Sequence, residues 1–178
     1  MSARDVSHSP VLTAIRQKFG SAVVEMHAFR GDETVVILPT KLHELMRFLR
    51  DDPRMQFNFL MDITAVDWPE RHPRFDVVYH LYSLKYNRRL RVKTRVDDGD
   101  TVDSVTDLWR GANWLEREVY DMFGIRFRHH PDLRRILMYD EFEGHPLRKD
   151  YPLRQEQPRV PYRIAPRDPW RDPDIWNR

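Results

Sequence analysis

The stretch FDVVYHLYSLKYNRRLRVKTRV, residues 75–96, decides the fold class. Apolar and aromatic side chains fall on both faces of residues 75–86, which predicts a strand buried on both sides for part of its length. A tight turn at Asn87 and Arg88 then leads into a second strand over 89–96. The two faces of this second strand differ: Leu90, Val92, Thr94 and Val96 face one way, and Arg89, Arg91, Lys93 and Arg95 face the other.

Periodicity outside this pair of strands predicts the other elements. A third central strand is predicted over 56–66, where Phe57, Phe59, Met61, Ile63 and Ala65 alternate with the residues between them. The remaining predicted strands cover 22–29 and 33–38 and are joined by a turn at 30–32. One predicted helix follows Ser9, a second follows Pro39 and Thr40, a third covers 113–123, and a short helix covers 103–109. The order predicts an α+β fold with a mostly antiparallel or mixed sheet of about five strands and three to four helices.

The helix over 113–123 has the clearest end signals in the chain. Asn113 and Glu116 match the capping-box pattern, in which the two side chains satisfy each other's backbone N–H groups. Gly124 stands where a left-handed residue commonly follows a helix. We therefore expect the helix to begin at the capping box and to end before Gly124.

The C-terminal part of the chain differs in composition from the rest. Residues 151–178 contain 6 of the 13 prolines and no glycine. Because proline breaks helices and cannot donate to a sheet ladder, this stretch predicts an extended, proline-rich arm. We divide the chain into a domain over 1–150 and an arm over 151–178.

Composition excludes several kinds of protein. The 178 residues include no cysteine, which excludes disulfides, cysteine-ligated iron–sulfur clusters, thiolate zinc sites and a cysteine nucleophile. No apolar run approaches the roughly 20 residues that span a bilayer. The N-terminus lacks the apolar stretch of a signal peptide, so we expect a cytoplasmic location. A net charge of +2 is too small to indicate nucleic-acid binding by itself.

The basic face of strand 89–96 has three interpretations. Charged residues on an exposed strand face keep a sheet soluble, and this is the interpretation we favour. An acidic protein partner comes second. Nucleic-acid binding comes last, because no RNA-recognition motif, zinc knuckle or KH loop accompanies the basic face.

Acids and histidines cluster in and after the third helix, and a metal or catalytic site is the chemical hypothesis to weigh. About 200° around the helix separates Glu116 from Glu118, so the two carboxylates cannot converge on one ion. Arg117 and Asp121 are four residues apart, and we expect them to pair on the exposed side. No HExxH zinc motif, glycine-rich phosphate loop or nucleophile accompanies these acids.

Residues 130–150 have little regular structure but are dense in Arg, His, Asp and Pro. A rigid extended backbone with arginines suits a docking surface, because little ordering entropy remains to be lost on binding. The structural interpretation is that Arg134, Arg135 and Arg148 tie the arm back to acids of the same domain. The residues alone favour neither interpretation.

Three blocks in this region resemble a known family. They are EREVYDMFGI at 116–125, HPDLRRIL at 130–137 and FEGHPLRKD at 142–150. Together they are similar to the signature of the 30-kilodalton-type (C) subunit of the proton-pumping NADH:quinone oxidoreductase, respiratory complex I. The upstream order of elements is consistent with the same family, so the resemblance covers roughly residues 10–153.

The resemblance implies a structural role in a quinone-reducing, ion-pumping translocase. A family member lies in the peripheral arm, on the cytoplasmic side of the bacterial inner membrane, and holds no catalytic, cofactor or metal residue. FMN and the iron–sulfur clusters, which carry electrons from NADH to a quinone such as ubiquinone, belong to other subunits. The partners implied are the hydrogenase-like D subunit, which helps form the quinone site, and the B subunit with the last cluster. An equivalent subunit of a related complex with a different electron donor is the alternative.

The charged residues of the three blocks are then docking candidates and not catalytic groups. They are Glu116, Arg117, Glu118, Asp121, His130, Asp132, Arg134, Arg135, His145, Arg148, Lys149 and Asp150. Rival hypotheses are a stand-alone enzyme that uses Glu118, Asp121 and His130, and an RNA-binding domain that uses the basic strand. Two departures stand out: His129 replaces the glycine that usually precedes the second block, which we expect to alter a local turn, and the tail after Pro152 lacks the usual acidic, tyrosine-containing stretch.

Overall fold

A five-stranded sheet forms the centre of the protein. The structure, a computed structural model, describes residues 9–157. Its strands are β1 (Val23–Phe29), β2 (Asp32–Ile37), β3 (Phe59–Asp67), β4 (Phe75–Ser83), β5 (Arg88–Val96), β6 (Thr101–Asp103) and β7 (Arg126–Arg128). Its α-helices are α1 (Pro10–Phe19), α2 (Pro39–Asp51) and α3 (Ala112–Phe123), and a single 3₁₀ turn covers Gly20–Ala22. The predicted α+β class is confirmed. The arm beyond residue 157 lies outside the described residues.

The strand order in the sheet is β1-β2-β5-β4-β3. Within this sheet only β2 and β5 run parallel, and the other neighbours are antiparallel, so the sheet is mixed. The strand pair predicted from residues 75–96 does form the centre. A separate two-stranded parallel ladder joins β6 to β7.

The three helices pack on one face of the sheet, and their apolar stripes close the main core. Side chains such as Tyr79 of β4 and Val92 of β5 are fully buried beneath them. On the opposite face, Val36 and Val78 are also buried but lie outside that core cluster. The prediction that β4 is buried on both sides is therefore confirmed over Phe75–Tyr79. We call the helix-free side the open face of the sheet.

A bulge in β3 changes the predicted alternation. The register shifts between Leu60 and Asp62. As a result Phe59 and Met61 are 50% and 44% exposed, whereas Ile63 and Ala65 of the same strand are buried. Sequence alternation alone cannot reveal this, because the extra residue of a bulge moves the side chains that precede it to the other face.

The start of α3 differs from the prediction. The helix begins at Ala112, with Gly111 as its N-cap, and no side chain caps it. Asn113 lies inside the first turn. Glu116 does not reach back to the helix start, because its carboxylate accepts the Val105 N–H at 2.7 Å. The predicted capping box is therefore wrong, because Glu116 accepts the N–H of the distant Val105 instead of a backbone N–H at the start of its own helix.

Other local signals give mixed outcomes. The Ser9 side chain accepts the Leu12 N–H at 3.2 Å, which confirms the cap of α1. Gly124 is left-handed with φ 81°, which confirms the end of α3. The short helix over 103–109 is wrong: Asp103 ends β6, and turns follow it.

Candidate docking site

Asp121 of α3 organises the backbone of the second sequence block. Its Oδ2 accepts the backbone N–H groups of Ile136, Leu137 and Met138 at 3.1, 2.8 and 2.9 Å. Its Oδ1 accepts Nη1 of Arg135 at 2.8 Å. Burial alone would raise the pKa of this carboxyl, but the three N–H donors and the guanidinium outweigh burial and lower it. The ionised Asp121 side chain thus fixes the positions of residues 135–138 by hydrogen bonds.

Arg117 holds the same segment by its carbonyls. The Nε and Nη2 groups donate to the backbone oxygens of Arg134 and Arg135 at 3.1 and 3.0 Å. The guanidinium also lies 5.4 Å from the ring centre of Trp114. The predicted exposed pair of Arg117 with Asp121 is therefore wrong. Both side chains are buried, and each binds the 134–138 backbone instead of the other.

His145 attaches the third block to the end of α3. Its Nδ1 lies 2.9 Å from the Asp121 carbonyl, and since a carbonyl can only accept, this nitrogen carries the proton. The Leu147 N–H donates to the Met122 carbonyl at 3.1 Å. The imidazole also fills the space beside Gly124, where an added Cβ would come within 2.7 Å of the ring. Gly124 is thus required by its left-handed φ and by this close approach.

A second ionic network ties the third block to the sheet. Arg74 donates through Nε and Nη2 to the two carboxylate oxygens of Asp67, at 2.7 and 2.8 Å, and through Nη1 to Asp150 at 2.9 Å. The Lys149 N–H also donates to Asp67, at 2.7 Å. The guanidinium holds the pKa of Asp67 below its usual range and that of Asp150 at about 2. Both carboxylates remain ionised at neutral pH.

Arg148 extends this network to the loop after β5. Its guanidinium forms a bidentate pair with Asp98, with Nη1 3.0 Å from Oδ1, and its Nε lies 3.2 Å from Asp150. The hypothesis that arginines tie this region to acids of the same domain therefore describes Arg148 and Arg135. It does not describe Arg134, whose side chain is 71% exposed and pairs with its near neighbour Asp132.

His130 and Asp132 shape the turn before the Asp121 segment. The His130 Nδ1 accepts the Asp132 N–H at 3.0 Å, so the proton lies on Nε2, which donates to the Asn113 carbonyl at 3.2 Å. His129 is left-handed, with φ 63°. The left-handed region is strained for a residue with a side chain, whereas glycine adopts it freely. The replacement of glycine by His129 therefore keeps a backbone conformation that favours glycine.

The structure separates the predicted candidates into groups. Arg117, Asp121, Arg135 and His145 meet around the C-terminal half of α3, whereas Arg148, Lys149 and Asp150 meet at the sheet with Asp67, Arg74 and Asp98. Glu118 is exposed on α3, as its angular distance from Glu116 predicts. Asp67, Arg74 and Asp98 were missed, because their partners in the third block lie 50 or more residues away and no local pattern links them to that block.

Glu116 occupies a different environment on the same helix. It is fully buried, Oε1 accepts the Val105 N–H, and Oε2 has no hydrogen-bond partner in the described part of the chain. Burial raises the pKa of this carboxyl to about 7. The buried Tyr79 hydroxyl also lacks a partner among the described residues, and burial together with the nearby Glu116 charge raises the pKa of Tyr79. Glu116 is thus a core carboxyl that is neutral below about pH 7.

Exposed apolar side chains accompany the segments that Asp121 and His145 hold. Trp114 is 62% exposed on α3, and Leu137 and Leu147 are also exposed. Within residues 9–157 no group of three or more His, Asp or Glu side chains is placed to hold a metal ion. Nor does that range contain a helix both long and apolar enough to cross a membrane. The exposed side chains of α3 and of the two attached segments thus form one surface that presents both apolar and charged groups.

Comparisons with known proteins agree with the sequence resemblance. The C subunit of the NADH-quinone oxidoreductase of Geotalea uraniireducens (strain Rf4) is 49% identical over 150 residues, covering 84% of this chain and 90% of its own. One of the corresponding C subunits of Rhizobium meliloti (strain 1021), numbered 2, is 51% identical over 143 residues, covering 80% and 79%. A chain of the membrane-bound sulfane sulfur reductase, an archaeal respiratory membrane complex, superposes with a TM-score of 0.67 at 27% identity, over 80% of this chain and 84% of that one.

A family model gives the assignment directly. The model described as "Respiratory-chain NADH dehydrogenase, 30 Kd subunit" matches residues 35–157. This range contains the central strands β4 and β5, α3 and all three sequence blocks. The chain belongs to the family of the 30-kilodalton subunit of respiratory-chain NADH dehydrogenase, that is, the C subunit of complex I.

Proposed function

We propose that this chain is a non-catalytic structural subunit in the peripheral arm of a proton-translocating NADH:quinone oxidoreductase. The observation that carries the proposal is the fourfold coordination of Asp121, which makes residues 135–138 part of a rigid surface. A preordered backbone loses little entropy when a partner docks on it. The function is geometric: the chain keeps its neighbours at fixed distances from one another.

The neighbours are the hydrogenase-like D subunit and the cluster-bearing B subunit. In this proposal electrons pass from NADH through FMN and iron–sulfur clusters, all held by other subunits, to the quinone. The chain itself binds none of these groups and associates with the cytoplasmic side of the inner membrane only through the complex. Exposed Trp114, Leu137 and Arg134 supply the apolar and cationic contacts to those subunits, since aromatic and arginine side chains dominate interface energetics.

The stand-alone enzyme is the weaker hypothesis because its three residues do not converge on a reacting atom. The Asp121 carboxylate is occupied by four donors from the protein. Both ring nitrogens of His130 bind backbone groups. Glu118 is exposed on the helix surface. A general base needs a free lone pair near the proton it removes, and neither Asp121 nor His130 offers one.

A related complex with a different electron donor is the second candidate function. It is favoured by the superposition on a chain of a sulfane sulfur reductase. The higher identity to subunits of NADH-quinone oxidoreductases, 46–51%, favours NADH as the donor. Because the donor binds to another subunit, measured NADH:quinone activity of the isolated assembly distinguishes the two candidates.

The testing experiment is co-isolation of a tagged copy from native membranes in mild detergent. A large assembly with flavin and iron–sulfur absorbance is expected with the wild-type chain, and a colourless monomer would contradict the proposal. Arg134→Glu or Arg148→Glu should lower the yield of assembled complex more than the turnover per assembled complex. Arg16→Glu, on the exposed side of α1, is the matched control and should change neither. Normal assembly with slow turnover would refute the scaffold function.

A further inference from the structure

Three cations at the loop between β4 and β5 lack acidic partners. Lys85, Arg88 and Arg89 are exposed, and within residues 9–157 none of them has a carboxylate oxygen within 4 Å. Each cation therefore keeps its full charge available to a binding partner. These three unpaired cations lie outside the candidate docking site described above.

The next three cations of β5, unlike Arg88 and Arg89, have acidic partners. Arg91 lies 3.5 Å from Asp32, Lys93 lies 3.7 Å from Asp76, and Arg95 lies 2.8 Å from Glu25. The basic face of β5 is thus paired along most of its length with acids of β1, β2 and β4. Its neutralisation stops at Arg89, so the charge that remains is confined to one end of the open face.

The loop between β4 and β5, which carries Lys85 and leads directly into Arg88 and Arg89, is held in a fixed shape. The Tyr86 hydroxyl donates to the Pro53 carbonyl at 2.7 Å, and the Tyr82 hydroxyl donates to Oδ1 of Asn87 at 2.6 Å. The Lys85 ammonium and the Arg88 guanidinium lie 5.2 and 5.4 Å from the ring centre of Tyr86. A charged loop that is already ordered loses little conformational entropy on binding.

Apolar side chains border the same cations. Leu84 is 64% exposed in the loop. Phe59, which is also exposed, pairs with Tyr82, and Tyr82 pairs with Arg89, so the three stand side by side across β3, β4 and β5. We define the basic loop surface as Phe59, Leu84, Lys85, Arg88 and Arg89.

A recess of about 250 Å³ opens next to Arg89 on the open face. Met61 is the exposed apolar residue of its lining, whereas the side chains of Leu81 and Leu90 are buried in the main core. The other lining residues are Asp32, Glu33, His80, Arg89 and Arg91. Burial, followed by the charge of Arg91, lowers the pKa of His80 in the same lining, so the ring is neutral at pH 7. The lining is therefore mostly polar, and its acids Asp32 and Glu33 direct carboxylates of a ligand away from the recess and towards the three unpaired cations.

We propose that the basic loop surface binds an acidic polypeptide segment of another subunit, whose carboxylates pair with the three cations and whose apolar side chains pack on Phe59 and Leu84. The inference rests on the proposed function, because it supposes an assembly that contains such a subunit. A lipid headgroup layer or a nucleic-acid backbone presents an array of anions, and part of that array would meet Asp32 and Glu33. A polypeptide can place its carboxylates at the three cations, away from the recess, and its apolar groups on Phe59 and Leu84.

Photo-crosslinking inside the intact complex tests the identity of the partner. A p-benzoylphenylalanine is incorporated at position 84 of the full chain in cells, and the irradiated complex is isolated and digested for mass spectrometry. The expected product joins position 84 to a peptide of another subunit that is rich in Asp and Glu. Position 16, on the exposed side of α1, is the control and should not give that product. An adduct with lipid or RNA, or no adduct in an intact complex, overturns the inference.

Charge reversal tests the contribution of the cations. Membranes carrying the double variant Arg88→Glu with Arg89→Glu are solubilised at moderate salt, and the fraction of the chain kept in the complex is compared with wild type. We expect about tenfold less retained chain, and the matched double variant Arg16→Glu with Arg126→Glu should match wild type. Equal retention of all three proteins overturns this inference and leaves the proposed function intact. If even the wild-type chain is absent from the complex, both fail.

Discussion

Asp121 and Glu116 lie on the same helix, five residues apart, and they are both fully buried. Asp121 receives four donors, and its pKa falls below the usual range despite burial. Glu116 receives the Val105 N–H but has no partner for Oε2 among the described residues, and burial raises its pKa to about 7. Burial favours the neutral form of both carboxyls, and the difference teaches that four well-placed donors can outweigh burial in a core carboxyl.

The two residues also have different structural roles. The charge on Asp121 holds a segment that has no helix or strand of its own. Glu116 instead links α3 to the turn after β6 through one hydrogen bond. We therefore expect the docking surface to depend on a charge and the core beside Tyr79 to depend on a neutral group.

The largest effect is expected when Asp121 loses its charge. Asp121→Asn leaves Arg135 without a carboxylate and places an NH₂ group against donors, which should lower the free energy of unfolding by about 4 kcal/mol. Chemical denaturation of the purified chain measures it. Glu118→Gln on the exposed side of α3 is the control and should stay within about 0.5 kcal/mol of wild type. Wild-type stability for Asp121→Asn would break the comparison.

The second effect is a pH dependence caused by Glu116. The folded pKa of about 7 exceeds the ordinary value of 4.5, so the folded state binds the proton more tightly than the unfolded state. The contribution of Glu116 to the free energy of unfolding is therefore complete below about pH 4.5, falls as pH rises towards 7 and then levels off. The total loss is about 3 kcal/mol.

The neutral variant Glu116→Gln isolates this contribution. Its free energy of unfolding, measured from pH 4.5 to 8 beside that of wild type, should lack the decline assigned to Glu116. The difference between the two proteins should thus grow in favour of the variant as pH rises. Parallel curves would show that Glu116 is ionised in the fold, and the contrast with Asp121 would disappear.

A smaller effect is expected at the junction between α3 and the third block. Gly124→Ala introduces a Cβ at φ 81° and within 2.7 Å of the His145 ring. The ring cannot move freely, because it donates to the Asp121 carbonyl. We expect a loss of about 2 kcal/mol in thermal or chemical denaturation. The matched substitution Gly20→Ala, where no atom lies near the added Cβ, should cost nothing measurable.

The smallest effect is a gain of stability at His129. This residue has φ 63° and leads from β7 into the segment that Asp121 holds. Substitution by glycine removes the left-handed strain but adds freedom to the unfolded chain, so we expect a net gain of about 0.5 kcal/mol. A calorimetric scan at constant pH measures the shift. A loss of stability would show that the side chain makes a favourable contact that exceeds the strain.

The sequence predicted the sheet better than the site. Periodicity over residues 75–96 placed the two central strands, and Gly124 marked the end of α3. The bulge between Leu60 and Asp62 was not predictable, because a period-two pattern does not record an extra residue in one strand. The exposed pair of Arg117 and Asp121 was wrong for a related reason: helix spacing makes a local pair available but does not exclude better partners in residues 134–138.

By itself, the sequence determined the α+β class, the order of the main elements and the family, because these depend on periodicity, turn residues and contiguous motifs within a few tens of residues. Only the tertiary structure decided where the charges go. Asp67 meets the Lys149 N–H 82 residues away, and Glu116 meets the turn after β6 and not its own helix start. The state of a carboxyl depends on desolvation and on donors brought by distant segments, and both exist only once the chain has folded.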